Sequence, residues 1–444
     1  MKTLLTDQAI FALSFISNAN FGLDEPLGDA REPKDKTLWT NAQTRVKSGL
    51  DAINKNLTKD GHASLTWGPY IATSPSKDPK AEGIYVTDNA MYVASLPDPG
   101  DANKQLLVVA LAGTSSTSYV AAMDEDFGVN MVPLSVPSGV STDALVYEGG
   151  NTVLQKMIGW IDQTQKEPDY RGFLDNLSYQ VNQLLDAQHS VEVVVTGHSL
   201  GGGLAPLLAA YLGSDSSIVQ SEQVTVSCYT YAGPTAGDEN FRTFLTQNVK
   251  YNAIVNPLDL VPMAWAPKSL LQIPSLYSGQ EVCGKDMGTD YIVQGAISWA
   301  KSLIAGNSND FVQASNPTLL QAEGLKFSML DCAKLEATAI AIHDLPKFAK
   351  LKANMQTIWQ KTTHTDKPID VATIRHFLEF GEEGGHQHVR VYIDQIIDAS
   401  EFKELNKFLT HFMSAGKGDK KAEHYDSGFI LNTILTEAAN YLSK

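Results

Sequence analysis

Apolar and polar positions along the chain follow two rhythms. Over the first sixty residues the spacing is helical. Asp7 and Asn18 bracket an apolar segment, and Leu38, Val46, Leu50 and Ile53 recur one helical turn or more apart. The pattern predicts helices over 1–60, the first of them an amphipathic helix packed on the body. A loop rich in Pro, Ser, Asp and Lys follows near 74–82. The rhythm then shortens. AMYVASL (90–96) and QLLVVALAGT (105–114) read as strands joined by the turn-rich PDPGDANK. The second run is almost continuously apolar, as a strand covered on both faces must be.

From about 143 helical and strand patterns alternate. ALVYEGGNTVLQKMIGWIDQ and FLDNLSYQVNQLLDAQ are helical, with the polar KEPDYRG between them; VEVVVT (191–196) is a short apolar strand running into GHSLGGGLAPLLAAYL. VTVSCYTYAGP (224–234) and KYNAIVN (250–256) are further strands around the helix-like NFRTFLTQ. Such alternation implies an α/β fold, a mainly parallel sheet flanked by helices on both faces. Beyond Pro262 strand signals thin out, and QGAISWAKSLIAG and LLQAEGLKFSMLDCAKLEATAIAIHDL are helical. One domain is expected: N-terminal helices over 1–60, a core over 65–265, a helical insertion or cap over 264–385, and a C-terminal helical segment over 386–444. No apolar run reaches the roughly 18 residues of a membrane span.

Charge narrows the partners. Among 444 residues, 50 are acidic and 34 basic, a formal net charge of −16. That balance repels phosphate backbones, so no nucleic acid is expected, and it disfavours attachment to anionic membranes while leaving apolar adsorption to a lipid interface open. Cys228, Cys283 and Cys332 are far apart and read as small buried hydrophobes rather than a disulfide framework or zinc site, with one disulfide among them left open. The N-terminus resembles a secretion signal only faintly, because Asp7 and Gln8 interrupt its apolar region. The expectation is a cytoplasmic chain, or one exported by a route without a signal.

The chemistry concentrates at Gly197-His198-Ser199-Leu200-Gly201. A serine projected from a strand-to-helix turn needs backbone angles and close approaches that a Cβ opposes, hence glycine on both sides. The helix beginning beneath it presents unpaired N–H groups and a positive dipole end to a developing oxyanion. Here the motif follows an apolar strand and precedes a small-residue helix, the context that gives it meaning. Two further elements fit around it. The strand ending at Gly113-Thr114 is suited to place a backbone N–H beside the nucleophile. Asp259, in Asn256-Pro257-Leu258-Asp259-Leu260-Val261-Pro262, follows a strand where a carboxylate would orient a histidine.

Together GHSLGG, the ALAGT strand, YAGPTAGDENF and NPLDLVP resemble the class 3 lipases, the fungal-lipase-like branch of the α/β hydrolases, over about residues 65–265. The resemblance implies an α/β-hydrolase fold and hydrolysis of acylglycerol or related lipid esters by a Ser–Asp–His triad. It places oxyanion donors on Thr114 and Leu200 and a movable lid after the first of them, over Ser115–Gly128. Two features depart from the family: Ala112 stands at its small-or-Arg position before Gly-Thr, and the stretch after Asp259 is longer than in the compact fungal enzymes.

That length leaves the base open among several histidines. His198 lies inside the elbow and reads as structural. His343, in AIAIHDLPKF, resembles an HDL-containing stretch of some plant members but sits in a helical pattern that would hold its ring rigidly. His388 follows the Gly-rich EEGG, read as a loop able to bring an imidazole to the sheet's edge, and Gln387-His388 with Tyr392 resembles a Q-H-x-x-x-Y of bacterial class 3 members. His388 is therefore preferred, with His343 and His386 as alternatives. His386 and His388 near Glu382 and Glu383 read as a solvated loop, so no metal is expected, and the chemistry needs no cofactor. The expected activity is a serine hydrolase on a lipid or small ester substrate. An esterase or phospholipase with the same triad, or a non-catalytic interaction protein of this fold, are the alternatives.

Overall fold

The computed structural model describes residues 4–20, 36–57, 62–75, 85–98, 100–114, 128–160, 172–279, 311–313, 316–321, 332–344 and 369–414, with scattered positions between 281 and 301. All of the expected lid over 115–128 but its last residue, most of the helical run QGAISWAKSLIAG and the chain beyond 414 lie outside them.

A seven-stranded sheet organises the described residues, its strands in chain order: β1 (Ser64–Pro75), β2 (Tyr85–Asp98), β3 (Asp101–Leu111), β4 (Ser190–His198), β5 (Val224–Tyr231), β6 (Lys250–Val255) and β7 (Thr318–Leu319). β1, β2 and β3 pair antiparallel; from β3 onward every pair is parallel. β1 was not foreseen. Gly68-Pro69 in its middle argues against a strand interior, and β1 tolerates the pair because it is an edge strand with register shifts there. The turn between β2 and β3 is also tighter than PDPGDANK suggested, since both strands extend into it. The two-residue β7 adds a strand inside the segment expected to be a helical insertion.

The parallel strands are buried on both faces, as their unbroken apolar runs require. Leu107, Val109 and Leu111 of β3 face one core with Val191, Val193 and Val195 of β4; Leu106, Val108 and Ala110 face the other. Against the first face pack α3 (Glu148–Ile158), α4 (Phe173–Asp186), α5 (Leu200–Ser214) and α6 (Glu239–Asn248). Asp238 caps α6 by accepting from the Phe241 N–H at 2.8 Å.

The second face is covered by α1 (Thr6–Ile16) and α2 (Lys36–Asn54). From the other end of the chain come α9 (Val391–Ile396) and α10 (Lys403–Ser414), preceded by α7 (Cys332–His343) and α8 (Val371–Gly385). α1 differs from the amphipathic helix expected. Ala9 to Ile16 are all buried, because the sheet lies beneath and the C-terminal helices lie above. Its polar residues have uses: Gln8 accepts from the Leu5 N–H at its own helix start and donates to the Ile396 carbonyl of α9 at 2.9 Å. The cysteines divide between the two readings open to them. Cys228 is free and buried, but Cys332 is disulfide-bonded.

Candidate active site

Ser199 occupies the turn between β4 and α5 with φ 60° and ψ −129°, a backbone conformation rare for a residue with a side chain. The turn is possible only because its flanks lack side chains. A Cβ on Gly197 would lie 2.3 Å from the Gly201 carbonyl, and one on Gly201 would lie 2.4 Å from the Leu111 carbonyl of β3. The Ser199 N–H donates to the Tyr231 carbonyl at 3.0 Å, tying the turn to β5. Leu200 opens α5, so its N–H is among those left unpaired at a helix start.

Asp259 lies beyond the end of β6, fully buried. Its Oδ1 accepts from the Val261 N–H at 2.9 Å. His388 Nδ1 lies 2.9 Å from Oδ2 and 3.1 Å from Oδ1. That geometry puts the proton on Nδ1, donating to the carboxylate, and leaves Nε2 as a free acceptor. His388 thus pairs with Asp259, whereas His343, on α7, has its Nδ1 3.1 Å from its neighbour Asp344. The expected route to the site was wrong, however. EEGG is the last turn of α8 rather than a loop, and His388 sits in a π-helical turn over His386–Arg390. Such turns often mark functional positions inside helices.

His198, next to the nucleophile, donates from Nε2 to the His388 carbonyl at 2.8 Å, and the two rings stand 4.6 Å apart. Burial, then His388, push the His198 pKa well down, so it stays neutral with its proton held on Nε2. This agrees with the structural role expected of it. The contact brings His388 beside the elbow, although among the described residues no hydrogen bond joins its ring to the Ser199 hydroxyl. Such bonds are commonly long in the free enzyme and tighten with substrate.

A buried polar chain holds the Asp259 loop against the π turn. Asn256 Nδ2 donates to the Gln387 carbonyl at 2.9 Å and to Gln387 Oε1 at 2.8 Å; Gln387 Nε2 donates to Glu383 Oε1 at 2.7 Å. The Asn256 N–H donates to the Tyr392 hydroxyl at 2.8 Å. Burial and the nearby Asp259 carboxylate raise the Tyr392 pKa, keeping it a neutral phenol, and burial raises that of Glu383. Sequence motifs pointed to Asn256, Gln387 and Tyr392 without a role for them, and missed Glu383 as a partner.

The opposite rim is the exit of β3. Thr114 lies just past the strand, and the Gly113 N–H before it donates to Asn18 Oδ1 at 2.8 Å. Asn18 belongs to a short 3-10 turn after α1 and was read from sequence only as a helix boundary.

A mostly parallel sheet, flanked by helices and carrying a serine elbow at the C-terminal edge of a central strand, is an α/β-hydrolase fold. Residues 108–268 match the family model described as "Lipase (class 3)". Over 85 residues the chain is 35% identical to "Secreted mono- and diacylglycerol lipase 1" of Fusarium solani, covering 18% of this chain and 23% of the relative. It is 28% identical to "Phospholipase A1-IIalpha" of Arabidopsis thaliana over 245 residues, 51% of this chain and 50% of the relative. A "Lipase" of Rhizomucor miehei is 26% identical over 233 residues, 51% of each. The chain thus spans about half or less of the length of these curated relatives. The crystal structure of M37 lipase superposes with a TM-score of 0.58 at 18% identity, over 92% of this chain and 99% of that one, and shares its fold.

Proposed function

We propose that this protein hydrolyses carboxylic esters of lipids, acylglycerols in the first place, through Ser199, His388 and Asp259. The observation that carries the reading is the pairing of His388, half-buried, with both carboxylate oxygens of the buried Asp259, beside a serine held in a strained elbow. His388 Nε2 takes the Ser199 proton as Oγ attacks the ester carbonyl, and Asp259 stabilises the imidazolium. Backbone N–H groups of Thr114 and Leu200 receive the oxyanion. The alcohol leaves with the proton from His388, and water, activated by the same ring, releases the acid. Losing one oxyanion donor costs about 3 kcal/mol of barrier.

Relatives named as mono- and diacylglycerol lipase and as phospholipase A1 favour esters of a glycerol backbone over other acyl substrates. Insoluble substrates of that kind call for transient adsorption to a lipid interface. No helix among the described residues is long and apolar enough to cross a membrane. The test is a panel of p-nitrophenyl esters, emulsified triacylglycerol and phospholipid vesicles. The expected result is turnover of the soluble esters and faster turnover of emulsified acylglycerol. Preference for phospholipid would assign the head group instead. Inertness toward the whole panel would leave the interaction-protein reading.

A further inference from the structure

Building on that reading, we propose that Asn18 is a positioning residue for the oxyanion donor at Thr114, so that the N-terminal helical segment completes one rim of the active site. Where β3 leaves the sheet, its last rung toward β2 is the Ala112 N–H, which donates to the Ala90 carbonyl at 2.9 Å. The next N–H, that of Gly113, has left the ladder and finds its acceptor in Asn18 Oδ1 at 2.8 Å, across 95 positions of chain.

This bond does two things. It fixes the peptide plane entering Gly113, and so the point from which the backbone turns toward the following N–H, on Thr114. It also occupies the Gly113 N–H, so that this group does not compete for the oxyanion. The opposite rim has no comparable need. Leu200 is the first residue of α5, and Ser199 before it is tied to β5 through the Tyr231 carbonyl. Thr114, by contrast, stands in irregular backbone whose aim depends on what holds it.

Asn18 is itself held firmly. It follows Ser17, whose hydroxyl donates to the Ser14 carbonyl at 2.6 Å. The helix before it is pinned from two sides, by the Tyr92 hydroxyl donating to the Leu13 carbonyl at 2.6 Å and by Phe15 packed on the His198 ring at 4.5 Å. One rigid segment therefore touches both rims, Asn18 the β3 exit and Phe15 the elbow. Oxyanion donors act by being fixed before charge develops, so a loosened Thr114 weakens the transition state more than the ground state.

The test compares Asn18→Ala, which removes the acceptor, with Asn18→Asp, which keeps one of the same shape. Each is assayed with a soluble p-nitrophenyl ester and with an alkylboronic acid. The Ser199 oxygen adds to the trigonal boron, its proton passing to His388, and the tetrahedral adduct places a hydroxyl where the oxyanion forms. Asn18→Ala is expected to lower kcat about tenfold or more, with KM within about twofold, and to weaken boronate inhibition by a similar factor. Asn18→Asp stays closer to wild type on both measures. If Asn18→Ala does not fold, Asn18→Ser, a shorter acceptor, is judged by the same criteria.

Wild-type kcat and boronate affinity in Asn18→Ala would overturn the proposal. So would a fall in kcat without weaker boronate binding, or an aspartate variant no better than the alanine. A merely structural role would lower the thermal transition and leave the boronate affinity of the folded fraction unchanged. Failure of the hydrolase reading looks different: the wild-type protein would then neither turn over ester nor bind the boronate.

Discussion

Asp259→Asn changes one atom of the proposed triad and leaves its volume intact, and the structure says which way the new amide must face. Oδ1 accepts from the Val261 N–H at 2.9 Å, so the amide oxygen stays there and the NH2 takes the place of Oδ2. That is the atom 2.9 Å from His388 Nδ1. Two donors then meet, and the imidazole escapes by moving its proton to Nε2, the nitrogen meant to accept from Ser199. The same exchange in a serine-protease triad costs about 10⁴-fold in kcat, or about 5.4 kcal/mol of barrier, and a loss of that order is expected here. Stability should change little, because the site loses a buried charge and keeps its shape. The assay is kcat on a soluble p-nitrophenyl ester beside a calorimetric melting curve. A kcat within about tenfold of wild type in well-folded protein would show that another group orients the base.

Three more outcomes follow from the same contacts. Tyr392→Phe strands the buried Asn256 N–H without its acceptor, which costs about 1–3 kcal/mol; an unchanged urea midpoint would contradict the polar chain drawn around Asp259. Burial raises the Glu383 pKa, so the folded state holds its proton more tightly than the unfolded chain does. That contribution is complete below the ordinary carboxylate pKa of about 4.3 and is lost as pH climbs through the raised value. The melting temperature of Glu383→Gln relative to wild type should therefore improve between about pH 4 and pH 8, and a constant difference would refute the shift. His343→Ala should keep activity within about twofold, since that ring, at the end of α7, is bonded to the adjacent Asp344; a loss beyond tenfold would transfer the role of base to it.

The parts of this fold that were legible from sequence are those where one physical signal dominates. β3 and β4 announce themselves because both faces are buried, and the elbow because only glycine permits its approaches to β3. Asp259 was singled out by its place after a strand, and the structure pairs it with His388. His388 was preferred for a mistaken reason: EEGG was read as a flexible loop, yet two glycines can end a helix when it continues as a π turn, and the imidazole arrives on a rigid element. The objection raised against His343, that it sits in a helix, therefore had no force. β1 was hidden by its Gly-Pro. Asn18 was hidden more deeply, because it acts through a contact across 95 positions of chain that leaves no local pattern; Glu383 lies only four residues before its partner Gln387, and was missed because that stretch was read as a loop rather than as helix. The polar pair Ser17-Asn18, closing the apolar run of α1, was the one available hint of Asn18.

The central claim is that the Ser199 hydroxyl is the nucleophile. The most direct test exposes the native protein to a fluorophosphonate and maps the modified peptide by mass spectrometry, with Ser199→Ala carried in parallel. The expected result is one phosphonyl group on Ser199 in the wild type, lost together with ester hydrolysis. The variant should be unlabelled, inactive and within a few degrees of the wild-type melting temperature. Labelling at another residue, or ester turnover surviving in pure Ser199→Ala, would contradict it.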